Sequence, residues 1–157
     1  MINMKRRTFL KGSVAVGAVG AAVGAGLLTP RMVLAAWPAN AFEAKAVDGA
    51  LDALMGSHEL ASSDKISIRA PDIAENGAVV PVSVTADMGT VESISILAEK
   101  NASPLTASFK LASNAEPFVS TRIKMGKTSN VIAVVKADGK LYSTQKEVKV
   151  TIGGCGG

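Results

Sequence analysis

Val80-Pro81-Val82-Ser83-Val84-Thr85 places a branched apolar side chain at every second position, the period of a strand that is dry on one face and wet on the other. The same period recurs along the rest of the chain. Ile94 and Ile96 alternate with Ser93 and Ser95; Val119, Thr121, Ile123 and Met125 share one face; Val148, Val150 and Ile152 face away from Glu147, Lys149 and Thr151. Breakers fall between these runs at Asn76-Gly77, Met88-Gly89, Asn101 to Pro104, Asn114 to Pro117, Gly126 and Asp138-Gly139. The last of these suits a two-residue hairpin, because both central positions of that turn require positive φ. The pattern predicts about seven strands, over 65–70, 78–86, 91–100, 104–111, 116–125, 128–137 and 140–152. No helical period separates them, which argues against parallel βαβ units. The expected fold is all-β, an immunoglobulin-like antiparallel β-sandwich. Trp37 is the only tryptophan and precedes the strands, and the chain has one cysteine, so the inter-sheet disulfide and buried tryptophan of antibody domains are absent. Val, Ile and Ala packing must hold the sheets together.

Ahead of the strands the period lengthens. Asn40 followed by Glu43 reads as a capping box with Asn in place of Ser or Thr, opening a short helix. Val47, Leu51, Leu54 and Met55 form one apolar face, Glu43, Lys45, Asp48 and Asp52 stay wet, and Gly56 is a fitting stop.

The N-terminus reads as an address. Lys5-Arg6-Arg7-Thr8-Phe9-Leu10-Lys11 precedes an apolar run from Gly12 to Leu28, and this resembles a twin-arginine export signal, with Arg6 and Arg7 as the paired arginines. Val33-Leu34-Ala35 offers small residues for processing, favouring cleavage at Ala35 or Ala36, and Ala39-Asn40-Ala41 is a second candidate. The alternative is an uncleaved membrane anchor, but five glycines (Gly12, Gly17, Gly20, Gly24, Gly26) make the run weakly hydrophobic and a poor helix former. The expected organisation is a signal over 1–36, a β-sandwich domain with its N-terminal helix over 37–152, and a tail over 153–157.

This division also explains the charge. The formal charge of +4 would point to nucleic acid, but Lys5, Arg6, Arg7, Lys11 and Arg31 all precede residue 37 and no acid does. Without those five of the 17 basic residues, 12 stand against 13 acidic ones, and a nucleic-acid partner drops out.

The tail reads Gly153-Gly154-Cys155-Gly156-Gly157. Glycine lacks Cβ, so two on each side of the cysteine give a thin, flexible tether that fills φ/ψ space broadly. Extended, four glycines and a cysteine span roughly 17 Å, enough to enter a narrow enzyme channel. A thiol can form a sulfur–sulfur bond and later be released by attack on it, which is what covalent retention and delivery require. Activation within the sequence is weak: the nearest cation along the chain is Lys149, and a carboxylate at Gly157 would disfavour the thiolate.

The twin-arginine signal, the sandwich pattern and the Gly-Gly-Cys-Gly-Gly tail together resemble the SoxY family, carrier subunits of the bacterial thiosulfate-oxidising Sox system. The resemblance implies that Cys155 carries sulfur covalently, that Gly153, Gly154, Gly156 and Gly157 form its swinging arm, and that the chain is not itself an enzyme. It further implies a SoxZ-like partner in a heterodimer exported to the periplasm, and transient contact with haem, hydrolase and, in some organisms, molybdenum enzymes. The haem enzyme would attach thiosulfate, the hydrolase would release sulfate, and the molybdenum enzyme would oxidise the persulfide sulfur left behind. No cofactor or metal is expected of the chain itself.

Other features carry less. His58 is the only histidine, and one His with one Cys cannot complete a metal site, so it reads as a loop residue. Asn101-Ala102-Ser103 matches a glycosylation sequon but, behind a bacterial export signal, reads as turn chemistry. Asp48 and Asp52 share a wet helix face, and Met88 and Met125 read as core fillers. The competing function is an exported immunoglobulin-like binding or assembly module tethered by its cysteine. A ubiquitin-like sulfur donor would need ATP, which an exported chain does not meet.

Overall fold

The computed structural model describes residues 38–151. Two helices, α1 (Ala39–Glu43) and α2 (Val47–Met55), precede β1 (Ala61–Ser62), β2 (Ile66–Arg69), β3 (Ile73–Ala74), β4 (Val80–Ala86), β5 (Val91–Ala98), β6 (Leu105–Lys110), β7 (Phe118–Ile123), β8 (Ser129–Ala137) and β9 (Lys140–Val150). The alternation in β4 sends Val80, Val82, Val84 and Ala86 inward, all fully buried. β4 pairs antiparallel with β2 and β7 to make a three-stranded sheet. Pro81 is tolerated within it because the β2 ladder spans only Ser83 to Ala86, so β4 is flanked on one side alone at the proline.

The second sheet runs β1-β9-β8-β5-β6, with β3 also on β9. Ile94, Ile96, Val131, Ala133, Val135 and Val148 meet the valines of β4 between the sheets, where Met125 is also buried. The sandwich is thus the expected one, and all seven expected strands are found. Asp138 and Gly139 turn β8 into β9 with φ of 49° and 72°, the paired positive values that the hairpin needs. β1 and β3 were not foreseen. Each is two residues long and parallel to β9, too short to show alternation, and both lie along the side of β9 that β8 leaves open.

The N-terminal segment differs from expectation. Asn40 does not cap a helix: it lies inside α1, and neither α1, after Pro38, nor α2, after Ala46, has a side-chain cap. The chain breaks between them, with Ala46 extended at φ −130°. Burial explains the break, because Ala41 and Ala50, nine residues apart, would stand about 180° apart on one continuous helix. Split, both are fully buried, together with Leu51, against Leu97, Leu105 and Val134 on the outer face of the large sheet. The middle strands β5 and β8 are therefore dry on both faces. α2 otherwise follows its sequence, with Asp48 and Asp52 exposed, and Gly56 ends it at φ 79° while its N–H donates to the Asp52 carbonyl at 2.9 Å.

Leu51→Ala should cost about 2–5 kcal/mol by leaving a cavity between α2 and the sheet. Urea unfolding of the 37–157 protein measures it, and a loss below about 1 kcal/mol would mean that the helix layer is not part of the cooperative core.

Candidate functional site

Cys155 and its flanking Gly153, Gly154, Gly156 and Gly157 lie outside the described residues, as do Arg6 and Arg7. What the structure does place is the root of the tail. β9 keeps its hydrogen bonds to its last described residue. On one side the Lys149 N–H donates to the Asp72 carbonyl at 2.9 Å and the Thr151 N–H to the Ala74 carbonyl at 3.1 Å, while the Thr151 hydroxyl donates to the Glu75 carbonyl at 3.3 Å. Lys146 anchors the same segment, its Nζ donating to the Ala70 carbonyl at 2.7 Å and lying 3.0 Å from the Asp72 carboxylate. On the other side β8 has ended, and a side chain continues its ladder. The Val150 N–H donates to Thr128 Oγ1 at 2.9 Å, and that hydroxyl faces the Val150 carbonyl at 3.4 Å.

A third segment closes over this end. The Met125 N–H donates to the Gly77 carbonyl at 2.7 Å. A Cβ on Gly77 would collide with the Met125 carbonyl and come within 2.7 Å of Val150 Cγ1, so the close approach requires glycine here. The β7–β8 connection is fixed in turn by Asn101, whose Nδ2 donates to the Lys124 carbonyl at 2.7 Å and whose Oδ1 accepts from the Gly126 N–H at 3.0 Å. The asparagine read as turn chemistry is thus a clasp between two connections at the arm's end of the sandwich.

His58 lies elsewhere. It is exposed and 2.8 Å from Asp52 at the end of α2, and the hydrogen bond and charge of that carboxylate raise its pKa above the ordinary 6.5. At the hairpin end, Lys136 and the Gly139 N–H hold the Glu92 carboxyl below its ordinary range. Neither group touches the root of the tail. Sequence reasoning missed Gly77, Thr128 and Thr151, whose roles depend on strands far apart in the chain. The glycine after Asn76 was the only visible signal, and it reads as an ordinary turn.

Among the described residues the sandwich ends in a clamped strand, and the sequence runs on from it to a glycine-flanked cysteine. The comparisons identify the family. The profile of sulfur oxidation protein SoxY matches residues 51–155, from the middle of α2 through β9 to the cysteine itself. The structure of the sulfur carrier protein SoxY from Chlorobium limicola f thiosulfatophilum is 48% identical, covering 67% of this chain and 96% of that one with a TM-score of 0.61. Comparison with curated protein sequences gave no match. The chain belongs to the SoxY family and serves the Sox system as a sulfur carrier, not as an enzyme.

Gly77→Val should destabilise the root, costing about 1–3 kcal/mol as the β-branched side chain pushes Met125 and Val150 apart. Hydrogen exchange should then accelerate at Val150 and Thr151 ahead of the β5 core. Unchanged protection at those amides would show that the Gly77 contact does not hold the end of β9.

Proposed function

We propose that Cys155 is the covalent attachment point of the carrier and that Gly153, Gly154, Gly156 and Gly157 give it passage into enzyme channels. The observation that carries this reading is the junction at Thr151: hydrogen bonding on both sides of β9 runs to the last residues before a segment of glycines around the chain's only cysteine. A fixed root and a permissive arm are what repeated delivery of one atom to several sites requires.

In this reading a haem enzyme joins the Cys155 thiol to thiosulfate. The thiol proton leaves, a sulfur–sulfur bond forms, and two electrons pass to the haem enzyme. Hydrolysis then adds water across the bond between the two thiosulfate-derived sulfurs. The oxygen goes to the sulfonate sulfur, which departs as sulfate, and a persulfide stays on Cys155 for further oxidation, by a molybdenum enzyme where one is present. The receiving enzymes supply the chemistry. A SoxZ-like subunit completes the proposed complex, and the twin-arginine signal, removed near Ala35 or Ala36, delivers the folded pair to the periplasm. The partner is argued from the family. The outer face of the small sheet, where Ser83 and Ser120 bond at 2.9 Å beside half-exposed Phe118, has no helix layer among the described residues and is open to a second chain.

N-terminal sequencing of the periplasmic protein should begin at Ala36 or Trp37, and a membrane-bound form retaining Lys5 to Leu28 would overturn the export assignment. Cys155→Ser should abolish thiosulfate-dependent turnover in the reconstituted system while leaving the unfolding midpoint unchanged. Replacing Gly154 and Gly156 with Val adds bulk and restricts the backbone. Alkylation of Cys155 by a small free reagent should stay near normal while enzymatic loading falls at least about tenfold, a penalty of roughly 1.4 kcal/mol at the transition state. Parent-like loading of the valine protein would show that the glycines are not an access device.

A further inference from the structure

Asn76 is exposed and immediately precedes the glycine that packs against the end of β9. An asparagine can lose its side-chain amide without an enzyme when the next backbone nitrogen reaches its Cγ, and glycine, lacking Cβ, hinders that approach least. Two features of the fold favour the step here. Asn76 Oδ1 accepts a hydrogen bond from the Ala78 N–H at 2.9 Å, so a donor already faces the oxygen on which negative charge grows as Cγ becomes tetrahedral. The Gly77 N–H is committed to no hydrogen bond among the described residues, which leaves its nitrogen for the attack. The other described asparagines lack this combination: Asn40, Asn101 and Asn114 precede alanine, and Asn130 precedes valine. Asn101 is also tied at both ends of its amide, and the Asn130 amide is bonded to Glu99.

The position leaves no room for a longer main chain. β3 ends at Ala74, whose carbonyl receives the Thr151 N–H, and the next carbonyl, of Glu75, receives the Thr151 hydroxyl. Beyond Asn76, the Gly77 carbonyl accepts the Met125 N–H at 2.7 Å. A single carbon added at Gly77 would collide with the Met125 carbonyl and come within 2.7 Å of Val150 Cγ1. Asn76 thus links two contacts on the end of β9, to Thr151 before it and to Val150 after it. The turn itself closes through the Val79 N–H, which donates to the Asn76 carbonyl at 3.2 Å.

We propose that Asn76 is a self-modification site whose product releases the end of β9. The Gly77 nitrogen bonds to Asn76 Cγ and gives up its proton, while Nδ2 takes up a proton and departs as ammonia, closing an imide ring. Water then opens the ring at one of its two carbonyls. The hydroxyl goes to that carbon and the proton returns to the Gly77 nitrogen, so ammonia leaves, water enters and no electrons are exchanged. Opening at Cγ gives aspartate on the original main chain. Opening at the other carbonyl gives isoaspartate, in which the chain reaches Gly77 through Cβ and Cγ.

The isoaspartate main chain is one carbon longer, about 1.5 Å. The carbonyl that accepted the Val79 N–H hangs off it as a carboxylate. Gly77 cannot keep its contacts with Met125 and Val150 on a chain lengthened at that point, so isoaspartate frees the segment that clamps β9. Aspartate, with the same added charge and no added length, leaves the segment in place. The modification therefore marks the age of the protein at the strand end that leads to the tail, and it does so whichever residue carries the sulfur.

The test incubates the full chain at mildly alkaline pH and follows it by mass spectrometry. Trypsin releases Ala70–Lys100, in which Asn76 is the only asparagine, and an isoaspartate-specific methyltransferase labels the lengthened product. This peptide should convert from amide to acid before those holding Asn101, Asn114 and Asn130. Ala78→Pro removes the N–H that faces Oδ1, so conversion in the folded chain should slow about three- to tenfold, the rate equivalent of one hydrogen bond. In concentrated urea the two chains should convert alike. Hydrogen exchange at Val150 and Thr151 should accelerate in step with isoaspartate, whereas Asn76→Ser keeps its protection through the same incubation and Asn76→Asp begins with the parent's. Conversion of Asn76 no faster than that of Asn101 or Asn130 would overturn the site, as would equal rates for folded parent and folded Ala78→Pro. Unchanged exchange at Val150 and Thr151 in protein bearing isoaspartate would overturn the release. Where Ala78→Pro does not fold, the order of the asparagines and the exchange readout decide alone.

Discussion

The end of β9 is the constraint on which the carrier depends. A strand that frayed before its terminus would add its own freedom to that of the glycines and smear the position of the thiol over a large volume. Here the ladder is kept past the last residue of β8 by a threonine hydroxyl, and on the other edge by the main chain of Asp72 and Ala74. Each such bond contributes only about 1 kcal/mol net, but together they carry the hydrogen bonding of β9 as far as Thr151. The short parallel strand β3 then has a clear purpose. Its two residues add little to the sheet, but they sit against Lys149 and Val150, where a free strand end would otherwise peel.

The rest of the fold supports that end. β9 is eleven residues long and pairs with β8 over nine of them, so its direction is set by the two-sided burial of β8. That burial needs both layers. The small sheet covers Val131, Ala133 and Val135, and the helix pair covers Ile132 and Val134. The hairpin at Asp138-Gly139 fixes the register, and a slip of one residue would carry Val148 from the core to solvent.

How much of this was legible follows from how local each signal is. Val80 to Thr85 and Asp138-Gly139 state their structure within a few residues, and both strand and turn are found where that local chemistry puts them. The break between α1 and α2 was hidden. Asn40 and Glu43 have the spacing of a capping box, yet the wish of Ala41 and Ala50 to face the same sheet overrode it. β1 and β3 were unreadable because two residues cannot show a period, and because both depend on a neighbour about eighty residues away. The tail was legible as chemistry, since a lone cysteine between glycine pairs is unusual composition. The strand end it follows was not, because Asn101, Thr128 and Gly77 come to one end of the sandwich only when three connections far apart in the chain arrive there.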